Sequence, residues 1–437
     1  IFPNVDTGEF QIRLKAPTGT RFEETYKYSQ RLLELITRKA GGAKNILISI
    51  GYVGTQPPAY ALSNIYVFTS GPHEGILTVA LRPSAGIKLS EFKEVLRNAV
   101  AKEIPDLKIS FEPGDIISKV MNFGAPAPIE VAVSGLDLEK DRAYTEKVMA
   151  EMAKISKLRD LQIEQPLDYP TMDIKINREL AGQLGVTVKD VGDSLVAASS
   201  SSRWISQNYW TDPKTGVSYQ VQVEMPQWKI ASIADLEAVP AMKEGKEGPY
   251  VRDLAKLTYG VMPGEIDHLN QMRLVSISSN IEGDDLGRAA TEVDAAIKRT
   301  GAPPRGVEVQ QRGQVPALRE TFFGLQVGIG LAIVVMILML TANFQSFPLA
   351  LVIVSIAPAI IAGEVVALLV TNTTLNVQSF MGGIMAIGVG VSNSILLITF
   401  AENNRMEGQR ALRAAVAAGR ERLRPVLMTS IAMISGM

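Results

Sequence analysis

The sequence contains no cysteine and only two histidines in 437 residues. Disulfide bonds and thiolate metal ligands are therefore excluded, and the chain is compatible with an oxidising compartment. His73 and His268 lie far apart in the sequence, and isolated histidines are more often surface or core residues than metal ligands. The sequence therefore predicts no metal centre and no cofactor.

The motifs that would indicate an enzyme are missing as well. There is no Gly-x-x-x-x-Gly-Lys phosphate loop, no Gly-x-Ser-x-Gly nucleophile elbow and no His-Glu-x-x-His zinc motif. Basic and acidic side chains are nearly balanced, 44 against 45, which argues against nucleic acid as a partner. The chain is therefore predicted not to be an enzyme.

Long apolar runs are present near the C-terminal end. Each is close to the roughly 20 residues that an α-helix needs to cross about 30 Å of hydrocarbon. The predicted membrane helices cover residues 317–344, 347–370, 377–400 and 425–437, and a basic amphipathic helix covers residues 404–422. The last membrane helix is cut off by the end of the sequence, and together these segments predict an all-α transmembrane bundle.

Residues 1–314 have the pattern of an ordinary α+β protein. Residues 1–113 contain two strand-helix-strand units, which together predict a two-layer sandwich of the split βαβ, ferredoxin-like kind. The same pattern recurs in residues 126–177 and 271–313, which predict a second sandwich. The interruption, residues 178–270, is predicted to be an inserted subdomain that contacts other proteins.

Positive charges predict how the chain crosses the membrane. Residues 401–424 contain six arginines, whereas the loop 371–376 carries no charge. The positive-inside rule places the first segment in the cytoplasm and the second outside, and counting back through three spans places residues 1–314 outside too. The apolar runs 322–341, 347–370 and 377–400 contain one acid, Glu364, and the polar pair Ser392-Asn393. These groups must face protein or water, because isolated polar groups in lipid are costly.

Four stretches resemble one family of membrane transporters. Two lie in the membrane part: residues 387–397, Ile-Gly-Val-Gly-Val-Ser-Asn-Ser-Ile-Leu-Leu, and residues 422–430, Arg-Leu-Arg-Pro-Val-Leu-Met-Thr-Ser. Two lie at the beginning: residues 2–8, Phe-Pro-Asn-Val-Asp-Thr-Gly, and residues 16–21, Ala-Pro-Thr-Gly-Thr-Arg. Together they resemble the C-terminal half of a resistance-nodulation-division (RND) efflux permease, in its hydrophobe/amphiphile, acriflavine-resistance-like branch.

The resemblance implies a proton-driven exporter of amphiphilic or hydrophobic compounds. It implies a multi-pass protein of the bacterial inner membrane with residues 1–314 in the periplasm, two porter subdomains, and a docking subdomain in place of the insert. Such permeases are homotrimers that work with a periplasmic adaptor protein and an outer-membrane channel. The N-terminal half of the same permease, membrane lipids and amphiphilic small molecules are the other implied partners.

The resemblance also implies a site for proton coupling, with one departure. Drug exporters of this family hold a lysine at the position that matches Ser392, and the lysine pairs with aspartates of the other half. Ser392 and Asn393 cannot carry a positive charge. Either another group compensates, with Arg422 the candidate and Thr429 two turns further along the same helical face, or the coupling or the branch differs from that of the drug exporters. Glu364 is predicted as a further coupling residue. The alternative that Arg422 is only a positive-inside anchor stays open.

Substrate contact is predicted in the cleft between the two sandwiches. Aromatic rings give amphiphiles a large contact area at low entropy cost, and the predicted substrate-binding residues are Tyr52, Tyr60, Phe68 and Phe123. The alternative that these rings only pack a hairpin onto the first sheet stays open.

Two other functions remain alternatives. A soft-metal exporter of the same superfamily would need a methionine cluster in the periplasmic cleft, and Met121, Met149, Met152 and Met172 do not have a recognisable spacing. A non-transporting membrane sensor or export-accessory protein would need a cytoplasmic output module, and no such segment precedes residue 437.

Overall fold

The computed structural model describes residues 8–55, 69–114, 116–226, 229–230, 232–241, 248–283, 285–371 and 373–436. The chain forms two compact units. The first combines Ile1–Ala16, Phe22–Glu164 and Asp267–Met437, and the second combines Pro17–Arg21 and Gln165–Ile266.

The first unit begins with the predicted sandwich. Its elements are β1 (Glu9–Lys15), α1 (Phe22–Lys39), β2 (Ile46–Val53), β3 (Glu74–Leu81), α2 (Leu89–Glu103) and β4 (Lys108–Glu112). The sheet is antiparallel with the strand order β2-β3-β1-β4. Phe10, Ile12 and Leu14 alternate along β1 and are fully buried in a core with Leu32 of α1 and Leu96 of α2. The helices therefore cover one face of the sheet and leave the other face for contacts elsewhere.

A short helix, α3 (Ile116–Met121), leads into the second sandwich. This sandwich starts with β5 (Ile129–Gly135), α4 (Leu138–Met152) and β6 (Leu158–Ile163). Asp137 caps α4 by accepting a hydrogen bond from the backbone N–H of Glu139.

The second compact unit interrupts this sandwich. Its elements are β7 (Tyr169–Ile176), α5 (Arg178–Gln183), α6 (Val188–Ser199), β8 (Asn208–Thr211), β9 (Ser218–Val221), α7 (Ile233–Glu237), α8 (Val251–Leu254) and β10 (Ala255–Met262). Strand β7 pairs along its whole length with β10, and β8 forms a hairpin with β9. The insert therefore begins before β7 rather than at residue 178, because the partner of β7 is a strand of the insert.

The second sandwich is completed by β11 (Asp267–Leu269), β12 (Met272–Ile281), α9 (Leu286–Thr300) and β13 (Val307–Gly313). Its sheet has the order β11-β12-β5-β13, and β6 also pairs with β12. Strand β11, assigned to the insert from the sequence, pairs with β12 of this sheet. The core joins β5, α4, β12 and α9 through Val131, Val148, Ile277 and Val293, all with no exposed surface.

The membrane part follows β13 directly. Its helices are α10 (Gln314–Phe344), α11 (Phe347–Val354), α12 (Ala357–Val370), α13 (Val377–Met406) and α14 (Ala411–Gly436). Helix α10, the pair α11–α12 and helix α13 are three segments long and apolar enough to cross a membrane. An α+β region followed by an all-α membrane part is the predicted fold class, which is confirmed.

Two prolines affect the membrane helices differently. Pro358 lies in the first turn of α12, where its missing N–H is tolerated. The helix is interrupted just before it, between α11 and α12. Pro425 lies inside α14, which is continuous from Ala411 to Gly436. The sequence predicts an amphipathic helix that ends before this proline and a membrane span that begins at it. The structure instead has one helix that continues through Pro425.

Candidate functional site

The open face of the first sheet carries paired charges. Arg13 of β1 points away from the helices, and its Nε lies 2.6 Å from Glu112 Oε1 while its Nη1 lies 3.6 Å from Glu74 Oε2. Lys15 Nζ lies 3.4 Å from Glu74 Oε1. Burial alone would raise the pKa of Glu74, but Lys15, the Ser70 N–H and Arg13 outweigh it, so the pKa of Glu74 is lowered. Glu74 is therefore held as a buried, paired anion.

The same cluster joins the two sandwiches. Lys15 donates to the backbone oxygen of Glu164 at 2.8 Å, and its Nζ lies 3.5 Å from Glu164 Oε2. Glu164 also accepts hydrogen bonds from Gln162 Nε2 at 3.2 Å and from the hydroxyl of Ser278. A positive side chain of the first sheet is thus bound by a strand end of the second.

A second clamp centres on Asp160 of β6. Arg97 of α2 donates from Nε and Nη2 to the two Asp160 oxygens, each at 2.7 Å. Asp160 also accepts from Asn280 Nδ2 at 2.8 Å and from the Phe111 backbone N–H at 3.2 Å. Its φ is 52°, in the left-handed region that costs an L-residue energy, so several contacts hold Asp160 in an unusual conformation. The two sandwiches therefore meet through paired polar groups.

Two of the four predicted aromatic residues, Tyr52 and Phe123, lie among the described residues. Tyr52 is half-buried in β2, and burial raises the pKa of its hydroxyl. Phe123 follows α3 and is 62% exposed, and no ring contact joins it to Tyr52 in the described ranges. Tyr60 and Phe68 lie outside the described residues. Substrate contact by these four rings stays a prediction.

Two carboxyl groups of the second sandwich are buried with free oxygens. Glu130 of β5 accepts from Ser276 Oγ at 2.6 Å and lies 3.4 Å from Arg312 Nη1, but its Oε2 has no hydrogen-bond partner. Asp141 of α4 has no exposed surface, and neither of its oxygens is hydrogen-bonded among the described residues. Burial raises the pKa of Glu130, and burial with the nearby Asp137 carboxylate raises that of Asp141 to about 6.

Glu364 lies at a helix-helix contact. Its carboxyl group rests on Gly383 of α13, where an added Cβ would overlap Glu364 Oε2, and Gly383 is buried. Further along the same contact, a Cβ on Gly390 would overlap Ile360 of α12. Small residues let membrane helices approach closely, and here they make room for an acid between α12 and α13. A coupling role for Glu364 stays a prediction.

The other predicted coupling residues lie on α13 and α14. Ser392 is exposed, Asn393 is half-buried, and the hydroxyl of Thr429 donates to the Val426 carbonyl of its own helix at 2.9 Å. The guanidinium carbon of Arg422 lies 4.0 Å from the centre of the Phe400 ring on α13. Arg422 Nε is buried and has no hydrogen-bond partner among the described residues.

Helix geometry relates these residues to one another. Helices α13 and α14 are joined by a short loop, so they run in opposite directions. Asn393 lies seven residues before Phe400, and Thr429 lies seven residues after Arg422. Seven residues are about two turns, so Asn393 and Thr429 lie at a similar level above the contact of Arg422 with Phe400.

Sequence reasoning missed three parts of this arrangement. Phe400 has no motif signal, because any aromatic residue in a span suits lipid equally well. Gly383 could have been suspected from the pair Gly382-Gly383 in a span. The polar residues of β1 could have been suspected because Gln11, Arg13 and Lys15 alternate with buried apolar residues of the strand. Their partners, however, are distant in sequence.

Three methionines of the soft-metal alternative pack in two separate cores. Met152 is fully buried in the core of the second sandwich, and Met149 packs against the same core. Met172 packs against the core of the insert. Across the part of the chain that the structure describes, no group of three or more His, Asp or Glu side chains could hold a metal ion.

Two ferredoxin-like sandwiches with an inserted subdomain, followed by apolar helices with polar groups at their contacts, define the chain as part of an inner-membrane permease of the RND type. The chain belongs to the AcrB/AcrD/AcrF family, whose model matches residues 1–437. The predicted resemblance is confirmed, and with it the location in the inner membrane.

Several proteins similar to the chain are named for cations or metals. The chain is 23% identical to the cation efflux system protein CzcA of Alcaligenes sp. (strain CT14), over 98% of the chain and 40% of that protein. It is 27% identical to the nickel-cobalt-cadmium resistance protein NccA of Alcaligenes xylosoxydans xylosoxydans, over 70% of the chain and 29% of that protein. A crystal structure of a heavy metal efflux pump matches 98% of the chain and 42% of the pump, with a TM-score of 0.80 and 20% identity.

The chain thus spans about 40% of the length of the first of these relatives. Their names refer to cation efflux and to resistance to nickel, cobalt and cadmium. They are named as transport and resistance proteins, which is consistent with the prediction that the chain is not an enzyme.

Proposed function

We propose that the chain is the C-terminal half of a proton-driven exporter of metal cations. The observation that carries the proposal is that the relatives are named for cation efflux and for nickel, cobalt and cadmium resistance, one of them matching 98% of the chain. In this assignment the sandwiches are porter subdomains in the periplasm and the insert docks to other components. The permease works as a homotrimer with a periplasmic adaptor and an outer-membrane channel.

The residues favour borderline divalent cations, such as Zn²⁺, Co²⁺ and Ni²⁺, over soft monovalent ones. Soft cations prefer thiolate and thioether ligands. The sequence has no cysteine, and Met149, Met152 and Met172 are engaged in packing. An oxygen ligand is available on the second sheet, where one buried oxygen of Glu130 has no hydrogen-bond partner among the described residues.

Proton coupling is proposed for Asn393, Arg422 and Thr429, with Ser392 beside them and Glu364 on the neighbouring helix. Arginine stays charged throughout a transport cycle, so it can pair with a carboxylate of the other half and lose that partner when the carboxylate is protonated. Its unpartnered, buried Nε supports this role, because a buried donor without a partner is costly.

Zinc-export assays in membrane vesicles test the proposal. The permease that contains this chain, with its N-terminal half, is reconstituted with an internal Zn²⁺ indicator and a proton gradient is imposed. We expect proton-dependent zinc transport that Arg422→Ala abolishes and the matched Arg424→Ala largely preserves, since Arg424 is exposed. Transport of a cationic dye but not of Zn²⁺, Co²⁺ or Ni²⁺ would overturn the metal assignment in favour of amphiphile export.

A further inference from the structure

Arg422 is held by an aromatic ring rather than by an acid. Its guanidinium carbon lies 4.0 Å from the centre of the Phe400 ring, within the range of a cation-π contact. Its Nε is buried without a hydrogen-bond partner among the described residues. The ring satisfies the charge of the guanidinium but accepts no conventional hydrogen bond from that donor. The site is therefore suited to a second, stronger acceptor.

None of the other charged groups near this contact forms an ion pair with Arg422 among the described residues. On α13, Glu402 Oε1 is paired with Arg405 Nη2 at 2.6 Å. On α14, Arg420, Glu421 and Arg424 are the neighbouring charges, and Arg424 is exposed. Helix α11 carries no charged side chain, and the acid of α12 is Glu364, which faces Gly383 at the other end of α13.

We propose that Phe400 is a positioning residue for proton coupling, whose ring holds the Arg422 guanidinium while the carboxylate partner of Arg422 is protonated. This inference rests on the proposed function. An ionised carboxylate attracts the guanidinium more strongly than a ring does, whereas a neutral carboxyl group does not. The attraction of the ring is independent of pH. Arg422 therefore alternates between two partners, and the ring stabilises the state in which the carboxyl group carries its proton.

The sign of the effect follows from this exchange. Removal of the ring destabilises the protonated state, so the pKa of the carboxyl partner falls and the pH midpoint of transport shifts to lower values. Phe400→Leu removes the π-face at similar volume, and we expect a shift of about half a pH unit with a several-fold slower maximal rate. Phe400→Tyr retains the ring and should keep the midpoint of the unmodified protein.

Phe380→Leu is the matched control, because Phe380 lies on the same helix and contacts the Phe322 ring at 5.2 Å. Zinc transport by reconstituted vesicles is measured between pH 5.5 and 8 at equal amounts of membrane-inserted protein. An unshifted midpoint in Phe400→Leu, or an equal shift in Phe380→Leu, would overturn the inference. Normal proton-driven transport by Arg422→Ala would instead overturn the proposed coupling role itself, so the two failures are distinguishable.

Discussion

Asp141 should make the stability of the protein depend on pH. It lies in the first turns of α4 with no exposed surface, and a Cβ added to Gly135 of β5 would overlap its Oδ1. The Gly306 carbonyl oxygen lies 3.0 Å from that same position. Neither Asp141 oxygen receives a hydrogen bond. Among the described residues no hydrogen-bond donor offsets the cost of burying the Asp141 charge, a setting that favours the protonated form.

The magnitude follows from the change in pKa. Burial, with a contribution from Asp137, raises the pKa of Asp141 from 3.8 to about 6, while Arg273 opposes the change. Between these values the folded state binds more protons than the unfolded state, so stability is lost as the pH rises through this window. A difference of roughly two pH units corresponds to at most about 3 kcal/mol.

Asp141→Asn keeps the shape and removes the titration. We expect the variant to gain about 2 kcal/mol over the unmodified protein between pH 4 and 7.5, measured by denaturant unfolding of the purified protein in detergent. Asp137→Asn is the control, because Lys140 and neighbouring N–H groups lower the pKa of that exposed carboxylate. If the difference between Asp141→Asn and the unmodified protein is the same at every pH, the pKa of Asp141 is equal in the folded and unfolded states and the reasoning is refuted.

Two further predictions concern packing. Asp160→Ala removes the two-oxygen partner of Arg97 and leaves that arginine with Glu94 alone, so it should cost about 1.5–3 kcal/mol of unfolding free energy. A loss as small as that of Arg38→Ala, whose pair with Glu103 is exposed, would contradict the clamp. Gly383→Ala places a methyl group against the Glu364 carboxyl group and should lower the free energy of unfolding by about 1–3 kcal/mol. Gly382→Ala meets nothing within 4 Å and should not lower it. Glu364→Ala should rescue Gly383→Ala, and the absence of rescue would show that the two residues do not touch.

Local pattern was enough to predict the fold class. Apolar runs near 20 residues predict the membrane helices because the thickness of the hydrocarbon imposes their length. Alternation in β1 and the helical faces of α1 and α2 predict the first sandwich, because burial of one face is imposed on each element separately. The Arg-Leu-Arg-Pro segment carried the family resemblance.

Substrate class and element boundaries needed more than local pattern. The Ser392 departure from the family lysine left the branch open, and the sequence offered a soft-metal exporter only as an alternative. The names of the relatives are the ground on which metal export is proposed. The ends of the insert depend on which strand pairs with β7 and which with β11. Strand pairing is a choice among distant segments, so hydropathy along the chain does not encode it directly.

The sequence by itself determined that the chain is an α+β region joined to membrane helices, because burial and lipid thickness act on each segment through its own composition. Only the tertiary structure decided the contacts on which the proposals rest. Arg422 meets Phe400, Glu364 rests on Gly383, and Arg97 clamps Asp160. Each of these pairs joins residues on different elements, so its geometry exists only once the elements have packed, and no periodicity within either element specifies it.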